Sequence, residues 1–177
     1  PQLRNRATVV GNLVTASPAN DTITPLMAMD AKLVLVSGKG ERTVPLRDFY
    51  LGVRKTLLAP NEFVKEVNFP ALKSNQQGSF MKQALRRTQA ISVLNCCVLL
   101  EMENEIIRKA VITMGSVAPT IIHALEAEAF LVGRTLESEV IKEVGRLAAE
   151  ATRPISDVRA SDDYRLYMMQ ILVEDGL

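Results

Sequence analysis

The sequence predicts an α+β protein in two units, a small antiparallel-sheet unit followed by a sheet that carries helices. Three observations point there. Short β-rich runs separated by turn residues fill the first part of the chain, and a polar stretch, Ala71-Leu72-Lys73-Ser74-Asn75-Gln76-Gln77-Gly78, then interrupts them. From His123 onward the spacing of apolar residues changes from two to 3.6, the period of a helix.

The first unit opens with Val9-Val10-Gly11-Asn12-Leu13, read as a turn at Gly-Asn, and continues through Thr15-Ala16-Ser17-Pro18-Ala19-Asn20-Asp21-Thr22. Leu26, Met27 and Met29 then suggest a short helix. Ala31 to Val36 and Thr43 to Leu46 read as strands joined into a hairpin by Ser37-Gly38-Lys39-Gly40-Glu41. Gly38-Lys39-Gly40 lacks the spacing of a phosphate loop, and no helix follows it. Phe63 to Phe69 alternates apolar and polar residues and stops at Pro70, as a strand does.

In the second unit, Ser79 to Leu85, Val93 to Glu103 and Ile106 to Val117 predict three strands, the last two joined by a turn at Asn104-Glu105. Ala124, Ala127, Phe130 and Leu131 mark a helix ended by Gly133, and Val140, Ile141, Val144, Leu147 and Ala148 mark a second. Tyr164, Tyr167, Met168, Ile171 and Leu172 mark a third, with Ser161 ahead of Asp162-Asp163 as its amino-terminal cap.

Composition narrows the function. Of 177 residues, 47% are apolar and 23% charged, which is ordinary for a globular protein. Twenty-one basic residues against twenty acidic ones leave a formal charge of +1 with no basic cluster, so nucleic acid and anionic lipid are not expected partners. No apolar run reaches the roughly 20 residues of a membrane span. Pro1-Gln2-Leu3-Arg4-Asn5-Arg6 lacks the character of a signal peptide, and a cytoplasmic protein is expected. The missing initiator Met suggests a processed or cut-out segment, whose site is then expected to be incomplete.

His123 is the only histidine and Cys96-Cys97 the only cysteines, and adjacent strand residues point to opposite faces. A zinc site, an iron-sulfur cluster or a Cys-His dyad needs more ligands or partners than these. Both thiols are expected to be buried structural groups, and His123 a surface or first-turn residue. Chemistry must come from carboxylates, amines, backbone amides or a bound cofactor.

The stretch from Arg4 to Asp30 is the best candidate for holding one. A Gly-Asn turn followed by small hydroxyl residues before a helix start exposes N–H groups that can cradle a phosphate without net positive charge. Thr15 and Ser17 would add hydroxyls, whereas Asp21 would repel phosphate and suits sugar or ribityl hydroxyls instead. The same composition also makes a plain β-turn and a capped helix.

The run Arg4-Asn5-Arg6-Ala7-Thr8-Val9-Val10-Gly11-Asn12-Leu13, then Ala16-Ser17-Pro18-Ala19-Asn20-Asp21 and Pro25-Leu26, resembles the second half of the FAD-binding domain in the medium subunit of molybdenum hydroxylases. These are the xanthine dehydrogenase and carbon monoxide dehydrogenase flavoproteins. The likeness continues through Val44-Pro45-Leu46-Arg47-Asp48-Phe49-Tyr50, Gly52-Val53-Arg54-Lys55-Thr56, Lys82-Gln83-Ala84-Leu85-Arg86-Arg87 and Gly115-Ser116-Val117-Ala118-Pro119-Thr120. It ends with Arg159-Ala160-Ser161 and Tyr164-Arg165, and so covers essentially the whole chain.

The resemblance implies residues 1–72 as the second subdomain of the FAD-binding domain and 76–177 as the three-strand, three-helix C-terminal domain. The family's earlier glycine-rich loop would lie before Pro1, so half of the FAD cleft is expected here. Carried over by position, Gly11, Asn12 and Thr15 would contact the FAD pyrophosphate, with Ser17 in the same loop. Asp21 would lie beside the ribityl and phosphate region, with Asn20 where many relatives have a small residue. Phe63 and Val64 match an apolar pair at the flavin, and Lys82 a lysine near the isoalloxazine, where a fixed cation would favour the reduced anion.

Two departures stand out. Val10 replaces the first glycine of a common Gly-Gly-Asn, placing a β-branched side chain where the backbone would approach a ligand. Thr88-Gln89-Ala90 replaces the acidic loop of the xanthine dehydrogenase branch, so a dye or a quinone is expected to accept electrons faster than NAD. The implied function is electron transfer from an iron-sulfur small subunit, itself served by a molybdopterin large subunit, through FAD to NAD, a quinone or another acceptor. A structural or subunit-docking module that holds no FAD by itself is the other reading.

Overall fold

The computed structural model describes residues 5–177; Pro1, Gln2, Leu3 and Arg4, the last of which opens the family-like run, lie outside the described residues. The first unit comprises helices α1 (Val9–Val14) and α2 (Ile23–Ala28), strands β1 (Lys32–Ser37) and β2 (Gly40–Pro45), helix α3 (Leu46–Phe49) and strands β3 (Tyr50–Gly52), β4 (Lys55–Thr56) and β5 (Phe63–Asn68). β2, β1 and β5 form an antiparallel sheet in that order, with β1 at its centre. The expected hairpin is β1–β2, closing where Ser37 pairs with Gly40.

Gly11 and Asn12 do not make a turn. They lie inside α1, which Thr8 caps by accepting the Gly11 N–H on its hydroxyl at 2.9 Å. Thr8 thus serves as the hydroxyl cap of a helix too short to show a periodic stripe. The departure at Val10 is also resolved, because its side chain packs on the first core, which includes Leu13, Leu33, Leu35, Phe49 and Val64.

The second sheet holds the three expected strands, β6 (Gln76–Ala84), β7 (Ser92–Glu103) and β8 (Ile106–Gly115), and a two-residue edge strand, β9 (Ile122–His123). β6 begins inside the polar stretch, because Gln76 pairs with Glu101 and the Gln76 amide nitrogen donates to that carboxylate at 2.8 Å. His123 therefore belongs to β9, not to the first turn of the helix that follows, and its Nδ1 lies 3.0 Å from Glu128.

Helices α4 (Leu125–Leu131), α5 (Ser138–Glu150) and α6 (Asp162–Gly176) cover this sheet, and Ser161 caps α6 by accepting the Tyr164 N–H at 3.2 Å. The buried stripe of α6 is Arg165, Met169, Leu172 and Val173, whereas Tyr164 and Tyr167 face solvent. The expected stripe was off by about one position because apolar residues surround this helix, and because Arg165 is buried by pairing rather than by polarity. Each fully buried Leu, Val or Met here contributes about 1.5–3 kcal/mol of transfer free energy.

The units meet through α2, which packs on β7 and β8. Thr24 on α2 is fully buried, donating its hydroxyl to Asn95 Oδ1 at 2.6 Å while its carbonyl accepts from Thr113 Oγ1 at 2.9 Å. Pro18 and Ser116 bridge the same boundary, the Ser116 N–H donating to the Pro18 carbonyl at 2.9 Å. Gly115 lets them approach: a Cβ there would come within 2.9 Å of both the Pro18 carbonyl oxygen and Thr24 Oγ1, and would also strike Asn95 Oδ1.

Candidate functional site

The segment from Asn12 to Thr22 is folded on itself by its own polar groups. The Asn12 side-chain oxygen accepts from the Thr22 N–H at 3.3 Å and from the Thr22 hydroxyl. Its backbone carbonyl accepts from Thr15 Oγ1 at 2.8 Å and from Asn20 Nδ2 at 2.6 Å, and Asn20 Nδ2 also donates to Thr15 Oγ1 at 2.6 Å. Asn12, Thr15 and Asn20 are thereby brought together, and the Thr15 N–H, donating to the Gly11 carbonyl at 3.2 Å, adds a fourth expected residue, Gly11. Ser17 reaches them through its backbone, its carbonyl accepting from the Asn20 N–H at 3.0 Å while its hydroxyl accepts from the Ala19 N–H at 3.3 Å. Ala16, at the end of α1, takes a left-handed φ of 49°, a sparsely populated conformation for a residue with a Cβ, and its carbonyl accepts from the Arg54 N–H at 2.9 Å.

Asp21 and Lys82, 61 residues apart, are joined directly, with Lys82 Nζ 2.5 Å from Asp21 Oδ2. Lys82 also donates to the Ala90 carbonyl at 2.8 Å, and the Ser92 hydroxyl donates to Asp21 Oδ1 at 2.7 Å. Both carboxylate oxygens are thus engaged by the second unit. The pair is half-buried, the Lys82 side chain 24% exposed and that of Asp21 44%.

Phe63 and Val64 open β5, where Val64 sinks into the first core beside Leu13 of α1 while Phe63 leaves its ring 59% exposed. Tyr50 ties β3 to α1 by donating its hydroxyl to the Leu13 carbonyl at 3.2 Å, and burial pushes the Tyr50 pKa up. Cys96 and Cys97 are buried on β7, and desolvation raises their thiol pKa values to about 12 and about 11. Among the described residues no group of three or more His, Cys, Asp and Glu could hold a metal ion, and no helix is long and apolar enough to cross a membrane. A groove of about 320 Å³ runs between α2, α3 and β8, with Lys109, His123 and Glu128 in its lining, and it contains none of the nine expected residues.

Gly11 on α1 and Thr15 at its carboxy-terminal cap, four apart, lie on one face, and both are exposed. A Cβ on Gly11 would meet the Thr8 hydroxyl at 2.9 Å, so the glycine makes room for its own cap. The Gly11 N–H donates to the Thr8 hydroxyl and the Asn12 Oδ1 accepts from Thr22, so both groups are engaged within the loop.

Sequence reasoning gave no role to Thr8, Thr22, Ser92 or Arg159, the last met there only in the family-like motif Arg159-Ala160-Ser161. Arg159 donates from Nη1 to the Ser92 carbonyl at 3.0 Å and is itself gripped by Asp157. Its signal was an arginine in the polar segment ahead of a capped helix, which specifies no partner until the fold closes.

Residues 79–177 match the family described as CO dehydrogenase flavoprotein C-terminal domain, and residues 1–72 match the FAD binding domain in molybdopterin dehydrogenase. Xanthine dehydrogenase/oxidase of Gallus gallus is 37% identical over 152 residues, which are 84% of this chain and 11% of that protein. The xanthine dehydrogenase FAD-binding subunit of Escherichia coli O157:H7 is 30% identical over 98% of this chain and 60% of its own length. The solved structure of carbon monoxide dehydrogenase from Hydrogenophaga pseudoflava, in a form lacking the Mo-pyranopterin moiety of the molybdenum cofactor, matches with a TM-score of 0.93. The match has 32% sequence identity and covers 99% of this chain and 61% of that one. The chain therefore spans about three fifths of the subunit and solved chain it matches, and a much smaller share of the Gallus gallus protein. With residues 79–177, more than half its length, in the one match and 1–72 in the other, the chain belongs to the flavoprotein family of the molybdopterin-dependent dehydrogenases.

Proposed function

We propose that this chain supplies the FAD-contacting loop and the C-terminal domain of an electron-transfer flavoprotein subunit in a molybdenum hydroxylase. Residues 1–72 are read as the second subdomain of the FAD-binding domain and 76–177 as the C-terminal domain. The observation that carries the reading is the junction of Asp21 with Lys82, beside an exposed, hydroxyl-bearing face of α1. FAD, when bound, supplies the capacity to take up and release two electrons; the protein supplies position and electrostatics.

In this reading Gly11 and Thr15 present the surface along which the pyrophosphate lies, with Asn12, Ser17 and Asn20 holding the loop in shape. The paired Asp21 carboxylate accepts from ribityl hydroxyls, because Lys82 and Ser92 fix its orientation. Phe63 offers an exposed ring and Val64 anchors it from the core. Lys82, fixed by Asp21 and the Ala90 carbonyl, lends positive charge to the reduced form. Partners are an iron-sulfur subunit and a molybdopterin subunit, and the acceptor is a quinone or similar carrier in preference to NAD.

The purified full-length subunit is expected to show flavin absorbance that Thr15→Val and Asp21→Ala diminish far more than Cys96→Ala or His123→Gln. Equal flavin retention in all four variants would refute the assignment of this loop. Turnover with NAD matching that with a dye would refute the proposed acceptor.

A further inference from the structure

We infer that Arg159 is a positioning residue for the flavin-contacting loop, acting on Asp21 through Ser92; this rests on the proposed role of Asp21. The loop is gripped at two points by serines that end strands of the second sheet. Ser92, at the start of β7, donates its hydroxyl to Asp21 Oδ1 at 2.7 Å, and Ser116, just past β8, donates its backbone N–H to the Pro18 carbonyl at 2.9 Å. Each serine is in turn held by an arginine through its carbonyl: Ser92 by Arg159 Nη1 at 3.0 Å, and Ser116 by Arg165 Nη1 at 2.8 Å.

Asp157 joins the two arginines. Its Oδ2 accepts from Arg159 Nε and Nη2 at 3.0 and 2.5 Å, and its Oδ1 accepts from Arg165 Nη2 at 2.7 Å and from the Arg159 N–H at 2.8 Å. The bonds close a ring that leaves the loop at Pro18 and returns to it at Asp21. Asp157 and Ala160 form a β-bridge that fixes the short connection carrying the carboxylate and Arg159.

The chemistry suits positioning rather than bulk stabilisation. Ser92 is fully buried, so its hydroxyl has no water to turn to, and its aim depends on where its backbone is held. Arg159 fixes that backbone with one N–H while Asp157 holds the rest of its guanidinium in a planar fork. The Asp21 carboxylate is thereby aimed by a residue 138 positions away that stands outside the loop. A lysine at 159 keeps the charge but cannot bridge both partners in one plane.

The test is a double-mutant cycle on FAD affinity in the intact protein, measured by quenching of flavin fluorescence on titration of the apo-form. Arg159→Lys is expected to weaken FAD about tenfold, and to weaken it less than twofold when Asp21 is already Asn, since the effect passes through that carboxylate. An equal factor in both backgrounds means that Arg159 acts through general stability and overturns the inference. So does Arg159→Lys binding FAD like the wild type while Asp21→Asn binds it weakly. If Asp21→Asn itself leaves FAD affinity unchanged, the proposed role of Asp21 fails, and this inference with it. Ser92→Ala, which keeps the strand and removes only the bridging hydroxyl, supplies a second cycle with the same expected pattern should Arg159→Lys not fold.

Discussion

Gly115→Ala puts the contact between the two units under direct strain. Ordinary van der Waals contact for a Cβ begins at 3.4 Å, and the added methyl would stand 2.9 Å from the Pro18 carbonyl oxygen and from Thr24 Oγ1, and nearer still to Asn95 Oδ1. Pro18 and Thr24 must each retreat by about half an ångström. Neither is free to do so, because Pro18 accepts from Ser116 at 2.9 Å, and Thr24 is fully buried while donating to Asn95 at 2.6 Å. Overpacking of a tight site costs about 1–3 kcal/mol, and stretching these two bonds adds a fraction of the roughly 1 kcal/mol each contributes, for a total of about 2–4 kcal/mol.

Urea unfolding followed by circular dichroism reads this loss as a lower midpoint at an unchanged slope. Gly78→Ala on β6 is the control, since its Cβ would meet Leu99 and Val98 at 3.5 and 3.7 Å, ordinary contact distances. That change is expected within about 1 kcal/mol of the wild type, in the stabilising direction, because the unfolded chain loses freedom. Equal midpoints for the two variants would refute the reasoning.

The buried thiols Cys96 and Cys97, with pKa values raised to about 12 and about 11, are expected to resist a disulfide reagent at pH 8 in the native protein and to react in urea; rapid native labelling of either would contradict this. Glu62 is held at a pKa of about 2, first by its hydrogen bond with Arg42 and then by the Ala59 N–H. Because the folded value lies below the ordinary 4.5, its contribution to stability is complete above pH 4.5 and fades as the pH falls toward 2. An NMR titration midpoint near 4.5 for this carboxyl would disprove the pairing. Lys82→Met removes the cation that fixes the half-buried Asp21 carboxylate, so Lys82→Met and Asp21→Asn combined are expected to weaken FAD by less than the product of their separate factors. FAD titrations in which the two factors simply multiply would show that the pair does not act as a unit.

Much of the frame was legible because it rests on local pattern. The hairpin of β1 and β2, the long strands β7 and β8, and the Ser161 cap each follow from alternation or from one polar residue at a defined place. The helix α1 was missed because six residues give less than two turns, and Gly11-Asn12 carries a turn composition whose meaning is reversed by the Thr8 cap. The site divides along the same line. Asn12, Thr15 and Asn20 could be grouped from sequence since their partners lie within ten residues. The contacts of Asp21 with Lys82 and Ser92 span 61 and 71 residues, and nothing local in the sequence encodes a pairing at that range.

The run Gly115-Ser116-Val117-Ala118-Pro119-Thr120, first met only as a family-like motif, acquires a physical meaning in the fold. Gly115 admits the loop, Ser116 binds Pro18 on one side and Arg165 on the other, and Val117 is fully buried in the second core. Four residues past Val117, Ile121 is buried in the first core, and Ile122 returns to pair with Met114 at the sheet edge. One short segment therefore contributes to both cores and to the seam between them. Thr24 adds a buried polar link whose partners would be left unsatisfied if the units parted. Units joined in this way cannot separate without exposing Ile121, Thr24 and Asn95 together, so the two cores are expected to unfold in a single cooperative transition despite the polar stretch between them. The loop with Asp21 lies on that seam, and its geometry is accordingly as firm as the contact between the two units.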